Sequence, residues 1–100
     1  MAVGITKLNP VVYCGGLVGG NTNEYSAPEG ASAEYTINVG NPAGTKVIDA
    51  WYQPQHNVGA LSAFSLLTVD HLNDTQIKLT AQCYPGAANR MRILICVLWE

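Results

Sequence analysis

The last eleven residues of the chain constrain its fold more than any other segment. In an extended strand, alternate side chains point to opposite faces. One set in this segment is Met, Ile, Ile, Val and Trp, and the other, beyond Arg92, is Leu94, Cys96 and Leu98. A strand that is apolar on both faces must be covered on both. One face meets the core, so we predict that Leu94, Cys96 and Leu98 are covered by the N-terminal segment or by a neighbouring subunit.

Four further segments have the pattern of β-strands. Apolar and polar side chains alternate in residues 33–39 and 75–83. Residues 45–53 are rich in β-branched and aromatic side chains, and residues 64–72 are joined to 75–83 by a short turn typical of a hairpin. No segment has the period of an amphipathic helix. The pattern predicts an all-β fold, either an antiparallel β-sandwich or a jelly-roll-like barrel.

Composition divides the chain into residues 1–32 and residues 33–100. The first part contains six of the ten glycines and one apolar run, residues 10–14, that is suited to a strand. Residues 15–31 have no strand pattern, and unstructured stretches of this length are usually functional or disordered. We therefore predict an extended N-terminal arm with one strand, able to order on a neighbouring subunit, followed by a β-sandwich domain.

The chain has unusually few charges. Charged residues make up 12% of it and apolar residues 48%, whereas soluble domains average about 25% charged residues. Few charges leave a surface that associates readily, which favours an assembly protein over the alternative of an ordinary monomer. The five basic residues are mostly scattered, so the sequence predicts no nucleic-acid partner.

Neither a membrane span nor a secretory signal is expected. No stretch reaches the roughly 18 consecutive apolar residues of a spanning helix, and residues 1–10 have no apolar region of signal-peptide length. We therefore expect synthesis and folding in a cytoplasm. Because Cys14, Cys83 and Cys96 form no CxxC pair and are far in sequence from both histidines, we expect buried free thiols and no metal or cofactor. A bridge between Cys83 and Cys96 is the alternative.

No catalytic motif is present. Asp70 and His71 are neighbours in a predicted strand, so their side chains point to opposite faces and do not share a site. No serine lies in a Gly-x-Ser-x-Gly turn. The sequence therefore predicts a protein that is not an enzyme. A small enzyme is the remaining alternative, and its activity would depend on His56 or His71.

Aromatic residues supply further candidates for a binding surface, because such residues are enriched in interfaces. Trp51 and Tyr52 are neighbours in a strand, so one faces the core and the other faces outwards. Grouped as an exposed platform, such residues could instead bind sugars. Together with the C-terminal set, the aromatic interface candidates are Trp99, Tyr52, Tyr13 and Tyr25.

The second half of the chain resembles small β domains of virion proteins from tailed bacteriophages. The resemblance lies in four segments, GTKVIDAW, LTVD, TQIKLTA and RILICVLW, at residues 44–51, 67–70, 75–81 and 92–99. It implies a virion location and a capsid cement or decoration subunit that forms a homotrimer and binds the major capsid protein, without a cofactor. The alternative that it implies is the tip domain of a head or tail fibre, which binds a glycan receptor.

Overall fold

The computed structural model describes residues 3–15, 24–56, 63–87 and 90–100, except for the side chains of residues 54–56. These residues form an all-β fold of two packed sheets, so the predicted antiparallel β-sandwich is confirmed. The strands are β1 (Gly4–Leu8), β2 (Val11–Cys14), β3 (Glu24–Ala27), β4 (Ala33–Asn38), β5 (Val47–His56), β6 (Phe64–Asn73), β7 (Gln76–Cys83) and β8 (Arg90–Trp99).

β8 is the centre of a five-stranded sheet. β5 pairs antiparallel along one edge of β8. β1 and β2 share its other edge, with β1 beside the C-terminal half and β2 beside the N-terminal end. β3 adds to β2 in parallel. The second sheet has three antiparallel strands in the order β4, β7, β6.

The core lies between β8 and β7, the central strands of the two sheets. Ile93, Ile95, Ile77 and Leu79 are fully shielded from solvent, and burying one such side chain contributes about 1.5–3 kcal/mol. In both strands these residues recur at every second position, as the sequence pattern predicted. The face of β8 that carries Leu94, Cys96 and Leu98 therefore points away from the second sheet.

The N-terminal segment contributes three strands where one was predicted. β2 matches the predicted run at residues 10–14, but β1 and β3 were not predicted. All three extend the five-stranded sheet edge to edge, so the described part of residues 1–32 belongs to the sandwich. The rest of the predicted arm, including both glycine doublets, lies outside the described residues.

A disulfide joins the two sheets. Cys14 of β2 and Cys83 of β7 are bonded, with their Cα atoms 5.5 Å apart and 69 positions between them in sequence. The prediction of three free thiols is therefore wrong for this pair, and the alternative bridge from Cys83 to Cys96 does not form. Cys96 is a buried free thiol, as predicted. Spacing along the chain does not reveal which cysteines meet, because the pairing depends on how the two sheets stack.

Candidate interaction surface

The outer side of the five-stranded sheet carries a continuous group of apolar side chains. We call this group, Ile5, Trp51, Leu94, Cys96 and Leu98, the apolar sheet face. Strand register places Ile5 of β1 directly opposite Leu98 of β8. On the other edge of β8, Trp51 of β5 is opposite Cys96. Side chains in directly opposite positions are about 4.5–5.5 Å apart at Cβ, so these residues form one surface across three strands.

Much of this surface is open to solvent. Ile5 is 51% exposed and Trp51 39% exposed. Leu94 and Leu98 are half-buried, and only Cys96, at 8%, is shielded. The two leucines on the second face of β8 are thus covered only in part by the described residues of their own chain.

Charged side chains border the apolar sheet face. Lys7 follows Ile5 at the next outward position of β1 and is opposite Cys96. Asp49 of β5 is opposite Leu98, and Arg92 occupies the outward position before Leu94. All three charged residues are exposed. An apolar centre with a charged, solvated border is the usual composition of a protein interface.

The central rows on the outer side of the other sheet are polar. Thr36, Lys78 and Asp70 lie in one row across β4, β7 and β6. In the next row, Glu34 is opposite Thr80, and the carboxylate of Glu34 lies 3.3 Å from the ammonium group of Lys78. The two outer surfaces of the sandwich therefore differ in arrangement: the central rows of the three-stranded sheet carry hydroxyl and charged groups, with Leu66 and Leu72 exposed on β6, whereas the five-stranded sheet carries the apolar sheet face inside a charged border.

Two aromatic candidates, Tyr52 and Trp99, lie away from the apolar sheet face. Tyr52 packs against the core, and burial raises the pKa of its phenol. The outward member of the pair is consequently Trp51. Trp99 is half-buried beside Gly4, on the opposite side of β8 from Leu98, and its indole N–H donates to Thr6 Oγ1 at 3.0 Å.

The other two tyrosine candidates lie at β2 and β3. Tyr13 points outwards from β2, between the buried Val12 and Cys14, and its hydroxyl donates to Glu24 Oε1 at 3.3 Å. Tyr25 packs against the core with its ring centroid 4.9 Å from that of Tyr35. The pKa of Tyr25 is raised mainly by burial and, to a smaller extent, by the neighbouring phenol of Tyr35. Of these two, Tyr13 shares the outer side with the apolar sheet face.

Ile5 was not among the predicted interface residues. Ile5 belongs to β1, a strand that was not predicted, so no face could be assigned to it. Residues 5–8, Ile-Thr-Lys-Leu, do not alternate apolar with polar side chains, so the segment carries no period-2 signal of a strand. Placing Ile5 requires knowledge that β1 pairs with β8.

The structure separates the neighbouring titratable residues Asp70 and His71. Asp70 is in register with Lys78 and His71 with Ile77, on opposite faces of the sheet. Within the described ranges, His, Cys, Asp and Glu form no cluster of three or more that could hold a metal ion. The side chain of His56 lies outside the described residues.

Comparisons with protein-family models, curated proteins and solved structures found no match to this chain. In the part of the chain that the structure describes, no helix has the length and apolar character needed to cross a membrane.

Proposed function

We propose that the chain is a structural protein of a bacteriophage virion, a capsid cement or decoration subunit made in the host cytoplasm. In this role it stabilises the shell by binding the major capsid protein through the apolar sheet face. One observation carries the proposal: the outer side of the five-stranded sheet exposes Ile5 and Trp51 beside half-buried Leu94 and Leu98. The virion setting is supported by the resemblance of residues 44–99 to tailed-phage β domains.

Burial of this face supplies a driving force for association. Removing apolar surface from water contributes roughly 25 cal/mol per Å². A partner that covers the apolar sheet face gains this hydrophobic free energy of binding. The charged residues Lys7, Asp49 and Arg92 lie at the border, so they can stay in contact with water. With 12% charged residues and a net charge of −2, the chain meets little long-range repulsion from another protein surface. The arrangement suits a binding role, and we assign it no catalytic step.

The proposal is tested with one exposed apolar residue on each sheet. In the Ile5→Lys variant, a charge enters the apolar sheet face on its β1 side, directly opposite Leu98, and we expect affinity for virus shells stripped of the protein to fall at least about tenfold. Leu72→Lys is the matched control, because Leu72 is 42% exposed and lies on β6 of the other sheet. Co-sedimentation with shells measures both variants. Equal binding by the two variants, or the absence of the chain from intact virions imaged with a specific antibody, contradicts the proposal.

A second candidate, the glycan-binding tip of a head or tail fibre, is favoured by one observation. Trp51 presents an indole ring, 39% exposed, on the outer side of the five-stranded sheet, and such rings bind the apolar faces of sugars. The same antibody imaging separates the two functions. Many copies on the shell support the cement role, whereas a few copies at the end of a fibre support the receptor role.

A further inference from the structure

The sandwich is closed along one side, and along the other it is bridged by the contact of Tyr35 with β3 but has a cleft beside that contact. β5 and β6 pack against each other where the sheets meet on the closed side. On the other side, a cleft of about 390 Å³ lies between β4 and the junction of β1 with β2. No charged side chain lines this cleft in the described residues. Its lining is Leu8, Asn9, Pro10, Tyr25, Thr36, Ile37 and Asn38.

β4, which borders this cleft, is an edge strand. Its inner edge pairs with β7, and among the described residues no strand pairs with its outer edge. The unpaired N–H and C=O groups of such an edge can hydrogen-bond to another strand. Tyr35 and Ile37 face the core but remain half-buried, because the sheet ends at β4.

β4 also lacks the features that protect exposed edges. Natural edge strands avoid pairing through bulges, prolines or edge lysines. β5 and β6 both contain register shifts, whereas β4 runs without one from Ala33 to Asn38. Its sequence, AEYTIN, has neither Pro nor Lys. Its one charge, on Glu34, is directed towards Lys78 within the sheet.

We propose that β4 pairs antiparallel with β4 of a second copy of this chain, about a two-fold axis through Thr36. Such an axis places identical patches against each other. In this register Tyr35 lies opposite the partner's Ile37 on the inner side, and Glu34 lies opposite the partner's Asn38 on the outer side. The three-stranded sheets of the two copies then form one continuous sheet of six strands.

The residues of β4 are complementary to themselves in this register. An aromatic residue opposite a β-branched one is a favourable cross-strand pair. Asn38 Oδ1 accepts a hydrogen bond from Gln76 Nε2 at 2.8 Å, which orients the amide and leaves its N–H groups to donate to the partner's Glu34. A two-fold axis through Tyr35 would instead place two tyrosine rings opposite each other, and one through Ile37 would pair fewer residues of β4. The axis through Thr36 pairs every residue from Glu34 to Asn38.

This inference concerns a surface other than the apolar sheet face, and it does not depend on the proposed shell binding. It also predicts a different assembly from the homotrimer that the resemblance implies, because pairing about a two-fold axis closes at two copies. The apolar sheet face lies on the other sheet, so it remains available for the shell in the dimer.

Cysteine cross-linking tests the axis directly. Residues directly opposite each other in an antiparallel pair have Cα atoms about 4.5–5.5 Å apart, within the range for a disulfide. Thr36→Cys should therefore form a covalent dimer under mild oxidation, seen on a non-reducing gel. Thr68→Cys is the matched control, since Thr68 lies two strands away on the same outer side. The proposal is overturned if the Thr36→Cys variant forms the covalent dimer no faster than the Thr68→Cys variant.

Light scattering after size-exclusion chromatography gives an independent measurement. The wild-type protein should have twice the 10.7 kDa mass of one chain. Thr36→Lys places two ammonium groups opposite each other at the axis, and we expect the dimer to weaken at least about tenfold. Thr68→Lys should remain a dimer. A wild-type monomer, a wild-type trimer, or a Thr36→Lys variant that stays dimeric each overturns the proposal. Shell binding by a monomeric wild-type protein would leave the proposed function standing while this inference failed.

Discussion

At the scale of single residues, the contact between Gly4 and Trp99 leaves no room for a larger side chain at position 4. A Cβ atom on Gly4 would collide with the Trp99 ring, whose N–H is held by Thr6. Gly4→Ala must displace that ring, and overpacking of this kind costs about 1–3 kcal/mol of unfolding free energy. Urea unfolding measures it. Gly40→Ala is the control, because a Cβ at Gly40 meets nothing within 4 Å. Equal stability of the two variants would show that the ring moves freely.

At the scale of strands, one phenol connects β3 to β4 across the sandwich. Tyr35 Oη donates to the carbonyl of Ser26 at 2.8 Å and accepts from its backbone N–H at 3.2 Å. Tyr35→Phe leaves both backbone groups without this partner, so we expect the unfolding free energy to fall by about 1–3 kcal/mol. Faster hydrogen exchange at the Ser26 amide should accompany the loss. Tyr84→Phe is the control, since Tyr84 is 55% exposed. Unchanged exchange at Ser26 in Tyr35→Phe would contradict this role.

The strands themselves show what alternation in sequence can reveal. β4 to β8 were predicted because each carries a pattern along its own length, such as the recurrence of Ile77 and Leu79 at every second position of β7. β1 and β3 have five and four residues, too few for a period, and each is a strand because a distant segment pairs with it. The apolar sheet face was accordingly predicted on β8 and missed on β1.

At the scale of the whole molecule, the described residues show a covalent bond from one sheet to the other. The disulfide between Cys14 and Cys83 closes a long loop, 69 positions in sequence, and restricts the unfolded chain. Bonds of this kind typically contribute about 2–4 kcal/mol. The Cys14→Ala, Cys83→Ala double variant should lose stability of this order in urea unfolding, and a reductant should lower the wild-type value towards that of the double variant.

Two comparisons separate this effect from simple loss of packing. The double variant should not respond to reductant, because its remaining cysteine, Cys96, is buried and unbonded. Cys96→Ala alone should keep the full response, since it leaves the bridge between the sheets intact. The bond also joins β2, in the sheet that carries the apolar sheet face, to β7, which holds β4 in place. The opposite outcome would be an unfolding free energy of the wild-type protein that does not change when the disulfide is reduced. In that case the core alone would hold the two sheets together, and the disulfide would contribute no stability.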